Sequence, residues 1–212
     1  MNMKNAIVGI RKDLAYQKRL AKSLKNHRAY VPPKLVQIEL TNKCNLRCIM
    51  CDRWMWVRED EKATRSFSTP ELCRLFDQLA KTGVESVKLT GGEPLIREDF
   101  CTIVEYLAHL GIQTMIFTNG TLMNLPKARV LAEANATVFF SIDGVSATQD
   151  IIRGVPGTFA KALEGIRTLV KVRNEIHSHS EILFNVTVQK CNISEICGSL
   201  LPNQRFPLRP KP

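Results

Sequence analysis

Glu39-Leu-Thr-Asn-Lys-Cys44-Asn-Leu-Arg-Cys48-Ile-Met-Cys51-Asp52 runs on directly from the apolar stretch Leu35 to Leu40. The apolar stretch reads as a buried strand, and the residues after it read as a loop carrying three thiols in a C-x3-C-x2-C spacing. Three thiols on one loop make a metal site with a ligand missing. A structural zinc site uses four ligands, usually as two pairs, whereas a cubane cluster held by three thiolates leaves one iron open. His27, His109, His177 and His179 all lie outside the short spacings of zinc modules, so the cluster is the stronger reading. Seven cysteines with no signal peptide and no regular pairing describe a reduced, cytoplasmic chain rather than a disulfide framework. Cys73 and Cys101 fall in helical patterns, where buried free thiols are ordinary.

Outward from this loop the chain alternates strands and helices. Strands are expected at Leu35 to Leu40, Ser86 to Thr90, Gln113 to Thr118, Thr137 to Ile142 and Ile182 to Val188. Ser68-Thr-Pro-Glu71 opens a helix as a capping box with proline in its first turn, Leu72, Leu75, Phe76 and Leu79 give its apolar face, and Gly83 stops it. Phe100 to Leu110 before Gly111 repeats the device, Lys127 to Ala134 is shorter, and Thr158 caps a run through Leu169. Strands separated by helices predict a parallel α/β sheet wound by right-handed crossovers.

In such a sheet, ligands gather at the carboxyl ends of the strands. The cysteine loop follows the first strand, Thr90-Gly-Gly-Glu-Pro94 the second, Thr118-Asn-Gly120 the third and Ser141-Ile-Asp-Gly144 the fourth. Four polar or glycine-rich ends in register predict one ligand site. Gly91 and Gly92 allow close backbone approach, with N–H and C=O groups facing a ligand, and Glu93 offers an anionic acceptor for an ammonium group.

The cysteine spacing, with Asn45 after the first thiol, together with Gly91-Gly92-Glu93-Pro94 after the second strand, resembles the radical SAM superfamily over residues 35 to 196. The resemblance implies a partial parallel (β/α) barrel with helices outside. It also implies a 4Fe-4S cluster on Cys44, Cys48 and Cys51, with S-adenosylmethionine chelating the fourth iron. The implied chemistry is oxidoreductive: an electron breaks a carbon–sulfur bond to give methionine and a 5′-deoxyadenosyl radical, which takes a hydrogen atom from a substrate. A peptide, sugar or cofactor precursor is the expected substrate, and a flavodoxin- or ferredoxin-type protein the expected electron donor. By the same resemblance, Gly91, Gly92 and Glu93 bind the methionine amino group. Ser141 and Asp143 occupy positions that contact the methionine carboxylate or ribose, and they read equally as turn caps. Arg153 matches an arginine pairing with the methionine carboxylate, and a surface ion pair explains it as well. Thr118 and Asn119 either line the cofactor pocket or form a plain turn with Gly120. Asn185 is placed on the adenine or ribose side.

Two departures stand out. Met50 precedes the third cysteine, where the family often has an aromatic residue near the adenine; a polarizable thioether fills similar space. Trp54, just beyond, shields the cluster or covers the loop. The family core has six strand–helix units, and this sequence shows five strands and four crossovers. Residues 197–212, with four prolines from Pro202 on, read as an irregular tail of a truncated or frame-disrupted core, leaving the fifth strand as an exposed edge. A cluster-binding module without independent catalysis is therefore the alternative function.

The net charge of +10 resides mainly at the start. Residues 1–34 carry nine Lys or Arg against Asp13 alone, leaving +2 for the remainder. Ile7, Ile10, Leu14, Leu20 and Leu24 give this basic arm a loose helical stripe ahead of Pro32-Pro33. The two readings are a nucleic-acid or anionic-surface arm and, preferred here, a solvated helix with its stripe turned toward the barrel. No apolar run approaches membrane-spanning length.

Overall fold

The structure, a computed structural model, describes residues 3–56 and 66–199, with side chains from 14 to 55 and 66 to 196. The strands are β1 (Leu35–Thr41), β2 (Ser86–Gly91), β3 (Gln113–Thr118), β4 (Thr137–Ser141) and β5 (Glu181–Asn185). The helices are α1 (Met3–Asn26), α2 (Arg53–Trp56), α3 (Thr69–Thr82), α4 (Phe100–His109), α5 (Leu125–Glu133), α6 (Ala147–Arg153), α7 (Thr158–Glu175) and α8 (Ile193–Ser199).

The five strands are all parallel and lie side by side in chain order. Parallel neighbours require a crossover, and here each crossover carries a helix. α3 packs on α4, α4 on α5 and α5 on α7, so the crossover helices form one layer. Among the described residues β1 and β5 do not pair, which leaves the sheet an open, partial (β/α) barrel.

Side chains alternate across each strand. Ile38, Leu40, Val87, Leu89, Ile116, Val138 and Phe140 point into the core with Leu72, Phe76, Phe100, Ile103, Leu107, Leu131, Ile166 and Leu169 from the helices. Each such burial contributes about 1.5–3 kcal/mol relative to exposure. The intervening residues Thr90, Phe117, Phe139 and Ser141 are only half-buried and belong to the opposite face. There Phe117 stacks on Phe139 with ring centroids 4.3 Å apart.

The local signals explain most element ends. The Glu71 carboxylate accepts from the Ser68 backbone N–H at 2.8 Å and its hydroxyl at 2.7 Å, closing the expected capping arrangement at α3. The α7 start differs from expectation. Thr158 is its first helical residue and spends its hydroxyl on Val155 O at 2.6 Å, while Asp150 receives the N–H groups of Gly157 and Phe159 at 2.6 and 2.8 Å. A carboxylate from α6 reaches those open donors better than the short hydroxyl in the helix itself.

The basic arm is the helix α1, and of the stripe's described side chains Leu20 is half-buried while the other two are exposed. Leu14 is 54% exposed and Leu24 71%. Tyr16 and Ser23 do the holding instead: the Tyr16 hydroxyl donates to Pro32 O at 3.5 Å, and Ser23 Oγ accepts the Tyr30 N–H at 2.9 Å. Ile7 and Ile10 lie outside the described side chains, as residues 200–212 of the expected tail lie outside the described residues altogether. β5 pairs with β4 alone, and Leu183 and Phe184 on it are 41% and 37% exposed, in line with an open edge. Among the described residues, no helix is long and apolar enough to cross a membrane.

Candidate functional site

The carboxyl ends of the strands converge on a cavity of about 210 Å³. Twelve of the thirteen expected site residues line it: Cys44, Cys48, Met50, Cys51, Gly91, Gly92, Glu93, Thr118, Asn119, Ser141, Arg153 and Asn185. Asp143 is the exception. The cavity also takes in Leu46, Arg53, Trp54, Thr90 and Phe117.

The cysteine loop is held from three sides. From α6, the carbonyls of Arg153 and Ile152 accept the N–H groups of Arg47 and Ile49, at 3.0 and 2.9 Å, gripping the chain on either side of Cys48. From the third strand end, Asn119 Nδ2 donates to Asn45 Oδ1 at 2.9 Å, and Asn45 Nδ2 donates to Thr121 Oγ1 at 2.8 Å. From α2, Trp54 Nε1 donates to Cys48 O at 3.4 Å, and Arg53 forks onto Glu39 with two contacts of 2.6 Å. Trp54 thus lines the cavity as well as covering the loop.

Gly91 and Gly92 fit a steric demand that differs from the expected one. The Cβ missing from Gly91 would lie 2.3 Å from Thr41 O, and that of Gly92 2.2 Å from Lys43 O. Gly91 also has φ of 134°, a conformation that side chains disfavour. The absent side chains therefore make room for the stem of the cysteine loop, to which Gly92 N donates at Thr41 O (2.7 Å) and Glu93 N at Lys43 O (2.9 Å). This contact brings the second strand end against the thiols.

Glu93 is fully buried and already well supplied with donors. It accepts from Leu95 N at 3.0 Å, Thr118 Oγ1 at 2.7 Å and Asn119 N at 2.8 Å, capping the short 3-10 turn Pro94–Ile96 and tying the second strand end to the third. Three bonds use most of a carboxylate's roughly four acceptor positions, leaving room for one more donor. Burial pushes its pKa up despite those bonds. A cationic ligand group would restore the charged form.

Asp143 stands behind the cavity wall. Its Oδ1 accepts Thr187 N at 2.8 Å, and Oδ2 lies 2.7 Å from Arg153 Nη2 in a buried ion pair. Its role as a direct ligand contact is not what this geometry supports; it holds Arg153. Gln149 and Asn192 brace it, with Gln149 Oε1 accepting Asp143 N at 2.7 Å and Asn192 Nδ2 donating to Asp143 O at 2.8 Å. Neither was visible in the strand-end pattern, because both come from segments after it. Arg153 Nη1 donates to Cys48 Sγ at 3.7 Å, while its Nε is buried without a partner.

The six described cysteines are all free. Burial pushes the Cys44 thiol up to about 11 and raises that of Cys48, the latter opposed by the Arg153 charge. Protonated thiols become ligands when a metal displaces their protons. Among the described residues no three His, Cys, Asp or Glu groups are close enough to hold a single ion. Cys44, Cys48 and Cys51 nevertheless line one cavity. Three thiols lining one cavity fit a cubane, in which each binds a different iron. The unpartnered Arg153 Nε and the one open position on Glu93 suit the carboxylate and ammonium of an amino-acid ligand beside it.

A parallel, partial (β/α) barrel with a three-thiol loop at its first strand end defines an iron–sulfur protein class. The chain belongs to the radical SAM superfamily, whose family model matches residues 38–187. Members of that family use a 4Fe-4S cluster and S-adenosylmethionine. An AdoMet-dependent heme synthase of Methanosarcina barkeri is 34% identical over 168 residues, 77% of this chain and 45% of the relative. PqqA peptide cyclase of Rhodopseudomonas palustris is 34% identical over 137 residues, 64% of this chain and 36% of the relative. The crystal structure of SuiB from Streptococcus suis bound to S-adenosylmethionine shares the fold with a TM-score of 0.66 at 23% identity, over 86% of this chain and 40% of that one. The chain thus spans less than half the length of these relatives.

Proposed function

We propose that this chain is the cofactor-binding part of an enzyme that generates a radical from S-adenosylmethionine at a 4Fe-4S cluster. The observation that carries the reading is the convergence of Cys44, Cys48, Cys51 and Gly91-Gly92-Glu93 on one cavity at the strand ends. When bound, the cofactor pair supplies reductive cleavage of a carbon–sulfur bond, yielding methionine and a 5′-deoxyadenosyl radical for hydrogen abstraction. The protein's part is to hold and orient. Cys44, Cys48 and Cys51 each give a thiolate to one iron and leave a fourth open. Glu93 accepts from the methionine ammonium with its remaining position, and Arg153 offers Nε to the carboxylate. Thr118 and Asn119 fix Glu93, while Ser141 and Asn185 supply polar contacts on the ribose and adenine side. Met50, Leu46, Phe117 and Trp54 exclude water.

The hydrogen donor is an organic substrate of the peptide, sugar or cofactor-precursor kind, in keeping with the heme synthase and peptide cyclase names among the relatives. A flavodoxin- or ferredoxin-type protein delivers the electron. The six free cysteines among the described residues suit the reducing cytoplasm.

Addition of S-adenosylmethionine to the anaerobically reconstituted, reduced protein is expected to change the cluster's electron paramagnetic resonance spectrum, because the ligand occupies the open iron. An unchanged spectrum at saturating S-adenosylmethionine, with a full cluster present, would contradict the reading.

A further inference from the structure

Arg153 touches more of the site than a carboxylate-binding residue needs to. It comes from the last turn of α6, is 8% exposed, and spreads its guanidinium over three directions. Nη2 faces Asp143 at 2.7 Å, Nη1 faces Cys48 Sγ at 3.7 Å, and Nε is left without a protein partner. The main-chain carbonyl of the same residue accepts the N–H of Arg47, the residue immediately before Cys48, at 3.0 Å. One residue therefore supports the backbone of the central cysteine and places a cation against its sulfur.

We infer that Arg153 is a positioning residue that raises the reduction potential of the cluster by donating from Nη1 to the Cys48 sulfur, with Asp143 setting the angle of the fork. The inference rests on the proposed cluster at Cys44, Cys48 and Cys51. Reduction adds one electron to the cluster, and no bond forms or breaks at Arg153. A cation held close in a poorly screened interior stabilises that added negative charge, and hydrogen bonds to cluster sulfurs are a recognised lever on potential. Asp143 opposes the effect at longer range, since the guanidinium stands between it and the sulfur. Thr187 and Gln149 hold Asp143 in place at 2.8 and 2.7 Å, so its charge is fixed as firmly as that of the arginine.

The test is a midpoint potential measured by redox titration of the reconstituted cluster without S-adenosylmethionine, so that ligand binding does not enter. Arg153→Met is expected to cut the reduced-to-oxidised ratio at a fixed potential roughly tenfold, a shift of about 59 mV downward for one electron. Arg153→Lys, which keeps the charge but not the fork, is expected to shift less. Asp143→Asn, which removes the opposing charge, is expected to shift upward. Opposite signs at the two ends of one ion pair would not arise from loosened packing alone. Equal potentials for wild type and Arg153→Met would overturn the inference while leaving the proposed cluster intact. Should Arg153→Met fail to fold or to hold iron, Arg153→Lys and Asp143→Asn decide, and shifts of the same sign would overturn it. A wild-type chain that takes up no cluster would instead overturn the proposed function, and the inference with it.

Discussion

Cys48→Ala is expected to abolish cluster assembly, whereas Cys73→Ala leaves it intact. Cys48 is the central one of the three proposed ligands, gripped through the N–H groups of Arg47 and Ile49 by α6 and through its own carbonyl by Trp54. Removing it takes away one of the three proposed protein ligands, and among the described residues the other thiols lining the cavity are Cys44 and Cys51. Changes outside the ligand sphere of a metal site typically cost 10–100-fold in affinity, so loss of a ligand is expected to exceed about 100-fold. Cys73 is half-buried on α3 and does not line the cavity. Iron content and visible absorbance after anaerobic reconstitution check both variants. Equal loss in the two would contradict the assignment of the triad.

Gly91→Ala is expected to damage fold and site together. Its Cβ would lie 2.3 Å from Thr41 O and would impose a side chain on φ of 134°. A strained backbone of this kind costs about 1–3 kcal/mol, and forced overpacking a further 1–3 kcal/mol. For a chain of this size the combined loss lowers Tm by roughly 4–24 °C. Relief by sliding β2 away from β1 would break the Gly92 and Glu93 contacts to Thr41 and Lys43 that seat the cysteine loop. Cluster loading is therefore expected to fall even where the variant remains folded. Gly111→Ala is the control: φ is 70° there as well, but nothing lies within 4 Å of the added Cβ. Its cost is backbone strain alone. Thermal melts together with iron content distinguish the two outcomes, and similar Tm values for both variants would contradict the steric account.

The contrast between these glycines shows what was legible before the structure and what was not. The strands, the capped start of α3 and the cysteine spacing are local signals, carried by residues a few positions apart, and the structure reproduces them except at the fifth strand, which ends at Asn185 rather than Val188, Thr187 N being turned to Asp143. Gly91 and Gly92 were legible as glycines needed for close approach. What approaches them was not, because Thr41 and Lys43 reach that place only through β1–β2 pairing and the irregularity between Glu39 and Thr41. Glu93 was legible as a buried acceptor candidate, yet three of its partners come from its own turn and the third strand end. Asp143 was the least legible. Its placement at a strand end matched a ligand contact, and the side chain instead turns to Arg153 and Thr187, which pairing of β4 with β5 and the return of α6 bring to it. The stripe on α1 was only a partial guide for a related reason: apolar spacing gives a helix face, while packing also requires a complementary surface, and Leu14 and Leu24 find none while Leu20 is half-buried.

The direct test of the central claim is product analysis of the reconstituted, chemically reduced chain incubated anaerobically with S-adenosylmethionine. Formation of 5′-deoxyadenosine and methionine in equal amounts, absent from Cys48→Ala, is the predicted result. A chain that carries its cluster and binds S-adenosylmethionine but yields no 5′-deoxyadenosine would contradict it and leave a cofactor-binding module without catalysis of its own.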